Sequence, residues 1–370
     1  MKEKKNTGKF IIENGVLTGI VSKKIKKAVI PDGVTSIGDE VFKDCKNLTS
    51  VTIPDSVISI GDRAFYGCTN LTQLTIGNNV ANMGNHTFSG CTSLAAVTIP
   101  DSVKSIGDGV FEDCFKLISV TIPDNVASIG KEAFRYCVSL TSVAIGNGVT
   151  SIGDSAFYEC RNLTTVAIPD SVIRIEKSAF EWCKNLTSVT IGNGVIEIGE
   201  SAFSCCCNIT SIAIPKSVTS IGESAFYNCE SLADSKGFVI VKNVLYSYLG
   251  NDENVIIPDN VTAIGANAFA DCKNLVSVTI SDSVTKIGSG AFRNCCNITS
   301  VIIPDNVTTI GSYAFYKCAK LTDVKIPDSI ANIGISAFAE CPNISVTFKG
   351  VTLPNQMILS FSEHQCLHYV

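Results

Sequence analysis

Leu71 to Cys91 reads L-T-Q-L-T-I-G-N-N-V-A-N-M-G-N-H-T-F-S-G-C, and this pattern fills most of the 370-residue chain. Phe42, Phe65 and Phe88 open a series that recurs every 23 residues to Phe226 and, after a gap of 43, runs from Phe269 to Phe338. Three residues after each of these Phe residues stands a Cys, from Cys45 to Cys341. A fixed period in this range is the mark of a solenoid, in which each unit buries its apolar face only against its neighbours. The chain is therefore expected to form an elongated array.

Between Leu48 and Leu71 the apolar residues Leu48, Val51, Ile53, Val57, Ile60, Ala64, Phe65 and Cys68 form the inward set. Val51 and Ile53 alternate with Ser50 and Thr52, the period of a strand with one buried face. Pro54 withholds a backbone donor and ends the pairing, and Asp55 follows as a turn former. Val57 to Ile60 reads as a second short strand or an extended bend. Gly61, repeated as Gly38, Gly84, Gly107, Gly130 and Gly153, is expected where φ is positive, so Glu176, the one substitution in that column, should strain its turn. Asp62 is placed to cap a brief helical turn in which Ala64, Phe65 and Cys68 share a face.

The open ends need covers. Phe10 to Ile20 has two apolar runs around Asn14-Gly15, a short hairpin signal, and a similar passage returns at Phe238 to Tyr248. The domain reading is a capping hairpin over residues 1–30, repeats over 31–232, an inserted hairpin over 233–254, further repeats over 255–345, and a cap and tail over 346–370. A hairpin projecting from one continuous solenoid is preferred to the start of a second array.

Composition narrows the function. Charged residues make up 17% of the chain, net charge is −5, and Lys and Arg are spread among the repeats, so no polyanion-binding footprint forms and nucleic acid is not an expected partner. The lysines near Met1 are followed by no apolar core of a signal peptide, and no apolar run is long enough to span a bilayer, so neither a leader nor membrane insertion is expected. Thirteen of the 17 cysteines belong to the repeat. Stacked side chains point in parallel, with Cβ atoms near the rung spacing of about 4.8 Å, wider than a disulfide's usual 3.8 Å. A column of free, buried thiols is expected, with Cys205 and Cys207 as exposed thiols beside the column member Cys206.

The string L-x-x-V-x-I-P-D-x-V-x-x-I-G-x-x-A-F-x-x-C, taken from Leu48 to Cys68, resembles the BspA-like class of leucine-rich repeats, and the likeness runs through nearly the whole chain. The resemblance implies an α/β solenoid, a right-handed curved coil with a parallel β-sheet on one face and short helical turns or short strands on the other. It also implies a surface protein that binds host extracellular matrix proteins or another cell surface.

Little in the sequence suggests catalysis. His86, His364 and His368 are the only histidines, leaving few bases for a nucleophilic triad. His364 and His368 flank Cys366 without a second ligand pair, and the Asp column offers one carboxylate per rung, thin ligation for calcium; no metal or cofactor is expected. Interface hot spots favour Trp, Tyr and Arg. These residues gather near Trp182 and Arg174, close to Glu176, and in the Phe238–Tyr248 passage with Tyr246 and Tyr248, although both tyrosines could equally serve packing. The reading is a nonenzymatic scaffold for protein recognition. Its rivals are a structural spacer and an enzyme centred near Glu176.

Overall fold

The alternation at Ser50–Thr52 places Val51 inside and leaves Ser50 and Thr52 half exposed, and this strand pairs in parallel with Lys27–Val29 before it and Gln73–Thr75 after it. The computed structural model describes residues 4–6, 8–348 and 351–354. Nearly every 23-residue turn contributes this longer strand, reduced to a single bridge at Ala96 in one turn, then a two-residue strand such as Ser59–Ile60, then an arc carrying the Phe and Cys. Partners lie 23 residues apart: Ser119–Ile122 sits in register on Ser142–Ile145, with Val120 opposite Val143. Like therefore stacks on like, which is why one apolar pattern suffices for the whole core.

The chain divides into two compact units, residues 1–225 and 226–370. In the first, a 12-stranded sheet begins with Lys4–Asn6 and the antiparallel pair Phe10–Glu13 and Val16–Ile20, then continues in parallel through Ser36–Ile37 to Ser220–Ile221. The longer strands form a three-stranded group ending at Gln73–Thr75 and a five-stranded group from Ser119–Ile122 to Ser211–Ala213. In the second unit, Phe238–Val241 and Val244–Tyr248 form the antiparallel pair, and Val244 and Leu245 lie in parallel register with Ala263 and Ile264. The hairpin expected to project is thus the leading edge of the second unit's sheet, built like the one at the start of the chain. Its alternating apolar residues find their cover within that unit. At the other end Ser345–Phe348 stacks on Asp323–Ile326 and is met in antiparallel fashion by Val351–Pro354.

The architecture is a parallel β-solenoid with almost no helix, and this corrects the α/β expectation. Among the described residues the only helical segment is the 3-10 turn Glu230–Leu232. The cause lies two residues either side of each Phe. Glu40 and Asp44 around Phe42, Glu132 and Tyr136 around Phe134, and Ser178 and Trp182 around Phe180 all have φ between 54° and 64°. Such left-handed residues interrupt a right-handed helix. Their peptides turn so that N–H groups leave the arc for the next turn instead of closing on the fourth residue back. Glu132, Phe134 and Tyr136 donate to the carbonyls of Asp154, Ala156 and Tyr158 at 2.8, 2.7 and 2.8 Å.

The repeated glycine does not serve the purpose expected of it. Gly61, Gly84, Gly130 and Gly153 are absent from the left-handed residues, and so is Glu176. What the position demands is closeness: a Cβ on Gly61 would lie 2.7 Å from the Asp39 nitrogen, and one on Gly153 would lie 2.7 Å from the Gly130 carbonyl carbon. Glu176 keeps the ladder bond of its column, its N–H donating to the Ile152 carbonyl at 2.9 Å. No strained turn marks this residue.

Inside the arcs the phenyl rings stack. From Phe42 to Phe203 successive centroids lie 4.8–5.7 Å apart with planes within 16°, a spacing suited to offset stacking. The described cysteines are free, as their spacing predicts. Ten of the column thiols also have a task that composition did not reveal. Cys68 donates to the carbonyl of Phe42 at 3.1 Å and Cys137 to that of Phe111 at 3.2 Å, a pattern repeated along both units. Burial pushes the Cys91, Cys114 and Cys160 thiols well up, so they stay protonated and able to donate. Cys205, expected at the surface, is buried, whereas Cys207 is half-buried.

The Asp column has a similar use. Asp55, Asp124 and Asp170 accept the backbone N–H of Asn78, Asn147 and Asn193 at 2.7, 2.7 and 2.6 Å. Asn at those places both removes a stacked charge and caps the carboxylate beneath it.

Candidate functional site

A residue immediately after the Phe, or two before or after it, sits on the outward side of the arc, where neighbouring turns bring side chains 23 residues apart together. In the first unit these columns gather one dense polar and aromatic cluster. Arg135, next to Phe134, lies with its guanidinium carbon 4.7 Å from the Tyr136 ring centre and 5.5 Å from that of Tyr158. The two tyrosines meet edge to face at 5.7 Å. Arg135 Nη1 donates to Glu132 Oε1 at 3.3 Å and lies 3.6 Å from Glu112 Oε1, while Nη2 donates to the Tyr136 hydroxyl at 3.3 Å. On the far side of Glu112, His86 Nδ1 lies 3.3 Å from Oε2.

Gly109 makes that last contact possible. It occupies the column of His86 and Glu132, has φ +60, and a Cβ there would fall 2.1 Å from His86 Nδ1. The imidazole lies over this notch and so reaches Glu112. Beyond it, an open depression of about 400 Å³ is lined by Lys43, Arg63, Tyr66, His86 and Glu112.

Burial pushes the Glu112 carboxyl above its ordinary value; Asp113 and Glu132 add to the rise, and His86 and Arg135 oppose it. Burial also raises Asp113. A carboxyl with a raised folded value holds its proton more tightly folded than unfolded. The stability it contributes is therefore present at low pH and lost as pH climbs from the ordinary glutamate value through the raised one. Urea midpoints measured across that window should fall with rising pH, and Glu112→Gln should flatten the fall; an identical profile for the variant would contradict this account.

Trp182 lies in the same columns. It is half-buried, has φ 64, and carries the Lys184 ammonium 4.8 Å from its ring centre. One turn back, Arg161 grips Glu159 through Nε at 2.9 Å. Arg174 is elsewhere, on the short strand Arg174–Ile175 between Ser151 and Glu197, with Nε 3.6 Å from Glu197 Oε2 and the exposed Ile173 and Ile196 nearby. No contact among the described residues joins it to Trp182.

Tyr246 and Tyr248 are both buried. They are 2% and 6% exposed. Tyr246 meets Phe226 edge to face at 5.4 Å, and Tyr248 lies 5.1 Å from both Phe238 and Phe269. Alternating tyrosines on this hairpin cover phenyl rings, and the Tyr248 hydroxyl donates to Asp252 at 2.7 Å.

Reading by proximity in the chain missed Arg135, Tyr136 and Tyr158, because the cluster is assembled across turns. Reading down the column after each Phe, through Lys43, Tyr66, Ser89, Glu112, Arg135 and Tyr158, exposes it. Next to Glu176, Lys177 Nζ donates to Glu200 Oε1 at 2.9 Å, and no group of His, Cys, Asp or Glu among the described residues has the arrangement of a metal site. His364, Cys366 and His368 lie outside the described residues. No described helix is long and apolar enough to cross a membrane.

Comparison with known proteins places this geometry. A leucine-rich repeat protein from Bacteroides ovatus is 28% identical, with 93% of this chain and 91% of that one covered and a TM-score of 0.68. A leucine rich cell surface protein from Faecalibacterium prausnitzii is 30% identical over 97% of this chain and 92% of its own, with a TM-score of 0.49. A leucine-rich repeat protein from Eubacterium ventriosum shares the fold at 22% identity, with 96% and 97% covered and a TM-score of 0.54. No curated protein matches. The family profile described as BspA type leucine rich repeat region (6 copies) matches residues 20–137, 105–233 and 239–359. With its period, its stacked phenyl column and this profile spanning most of its length, the chain belongs to the BspA-type leucine-rich repeat family.

Proposed function

We propose that the protein is a nonenzymatic scaffold for protein recognition, and that the outward arc of its first unit is the recognising surface. The observation that carries this reading is the half-exposed cluster of Arg135, Tyr136 and Tyr158, with Trp182 two turns on in the column of Tyr136, residue types that dominate interface energetics, on a framework whose interior positions are committed to stacking. Family membership supports a binding role, and the resemblance adds adhesion at a cell surface or to host matrix as the setting. Arg174, with Ile173 and Ile196, is a second and smaller candidate surface.

The test is capture from matrix and cell-surface extracts by immobilised full chain, followed by affinity measurement on the purified partner. Trp182→Ala and Tyr158→Ala should each weaken binding by about 30-fold, the scale of a hot-spot residue. Arg174→Ala reports on the alternative surface. A chain that retains no protein would be a spacer, and full affinity in all three variants would remove both surfaces from consideration.

A further inference from the structure

The depression on the outward arc of the first unit has the cations Lys43 and Arg63 in its lining together with Glu112. At Glu40 the carboxyl is held below its ordinary value, first by a hydrogen bond from Lys43 and then by the charges of Lys43, Arg63 and Lys23. At Glu112 the carboxyl is raised, by burial and by Asp113 and Glu132. Cations surround the first carboxyl, and burial dominates at the second. Lys43 and Arg63 make their side of the depression the place for an anion.

The cations there are not equally engaged. Lys43 Nζ donates to Glu40 Oε1 at 2.7 Å. Arg63 lies 3.8 Å from the same oxygen, outside hydrogen-bond reach, and its side chain is 53% exposed. Its planar fork remains open for bidentate pairing with a carboxylate. Beside it the Tyr66 ring is 38% exposed and offers an apolar wall. The opposite wall is built rather than incidental, because His86 lies over the Gly109 notch against Glu112.

We infer that this depression receives an acidic side chain of a protein partner, whose carboxylate pairs with Arg63 while the adjoining apolar part of the partner lies on Tyr66. The inference rests on the protein-recognition reading and adds the chemistry of what is recognised. Arg63 supplies the fork, Lys43 keeps Glu40 from occupying it, and Tyr66 selects a carboxylate carried beside an apolar or aromatic group. Free acidic sugars share the carboxylate but not that neighbour.

The experiment is fluorescence anisotropy on the full chain with a labelled peptide of alternating Glu and Tyr, its Gln–Tyr counterpart, and a labelled galacturonate oligomer. The Glu–Tyr peptide should bind, weaken as salt rises, and bind about tenfold more tightly than the Gln–Tyr peptide. Arg63→Gln should abolish that preference, while Arg293→Gln, at an exposed arginine of the second unit, should keep it. Equal binding of the two peptides, no binding of the Glu–Tyr peptide, or an unchanged preference in Arg63→Gln would overturn the inference. Arg63-dependent binding of the galacturonate oligomer without the peptide would overturn the partner class. None of these results bears on capture through Trp182 and Tyr158, so the broader reading stands or falls by its own test.

Discussion

Phe157→Ala is expected to destabilise the first unit by about 3–5 kcal/mol, near the upper range for emptying a core site. The ring is fully buried, 5.2 Å from Phe134 and 5.1 Å from Phe180. Arc hydrogen bonds hold both neighbours, since Phe134 donates to Ala156 and Phe157 to Ala179 at 2.7 and 2.8 Å. The walls of the void therefore cannot close. Because coupling in a stacked array is between nearest neighbours, Phe338→Ala should cost less: in the described structure that ring stacks on Phe315 alone, at 5.2 Å. Denaturant midpoints of the two variants check both the magnitude and the order. Equal, small shifts would mean the phenyl column contributes little.

Gly148→Ala should be comparably severe although it adds one methyl group. A Cβ at this position would lie 1.9 Å from the Asp124 carbonyl oxygen and 3.0 Å from its carbon. Both atoms are backbone of the preceding turn, so relief requires the two rungs to separate just past the ladder between Ser119–Ile122 and Ser142–Ile145. Overpacking of a rigid site costs about 1–3 kcal/mol and can exceed that. We expect the upper end, with loss of sheet signal at a lower temperature by circular dichroism. Gly33→Ala is the control. It has no neighbour within 4 Å, so its φ of +89 is the only penalty, about 1 kcal/mol. Similar melting of the two variants would show that rung spacing yields easily.

The stacked strands, the inward phenyl column and the unpaired thiols were legible because they follow from period and side-chain direction. The arc was not. Its left-handed positions carry Glu40, Arg63, His86, Tyr136 and Trp182, residues whose local preference gives no hint of such a backbone. Asp62 followed by Ala64 and Phe65 reads locally as a helical start, and only the neighbouring turn, which accepts the N–H groups, decides otherwise. Gly61 was identifiable as special, but crowding and positive φ select the same residue, and sequence cannot separate them. At the surface the limit was of another kind: Trp182 stood out as the lone tryptophan, whereas Arg135 and Tyr158 look ordinary until turns are laid side by side. Tyr246 and Tyr248 show the converse, conspicuous residues occupied with covering rings.

The arc hydrogen bonds give each unit a direction. Glu40, Phe42 and Asp44 donate forward to Asp62, Ala64 and Tyr66, and Tyr313, Phe315 and Lys317 do the same toward Ile335, Ala337 and Ala339, while the thiols donate backward. Strand amides such as those of Ile58 and Gly61 also donate backward, to Thr35 and Ile37, so both faces of a severed turn carry donors and acceptors, but in arrangements that do not match each other. Copies of such a turn can be inserted anywhere within the row but never upside down. Lengthening by gene duplication would thus be permissive in number and strict in orientation, and a terminator evolved for one end could not serve the other.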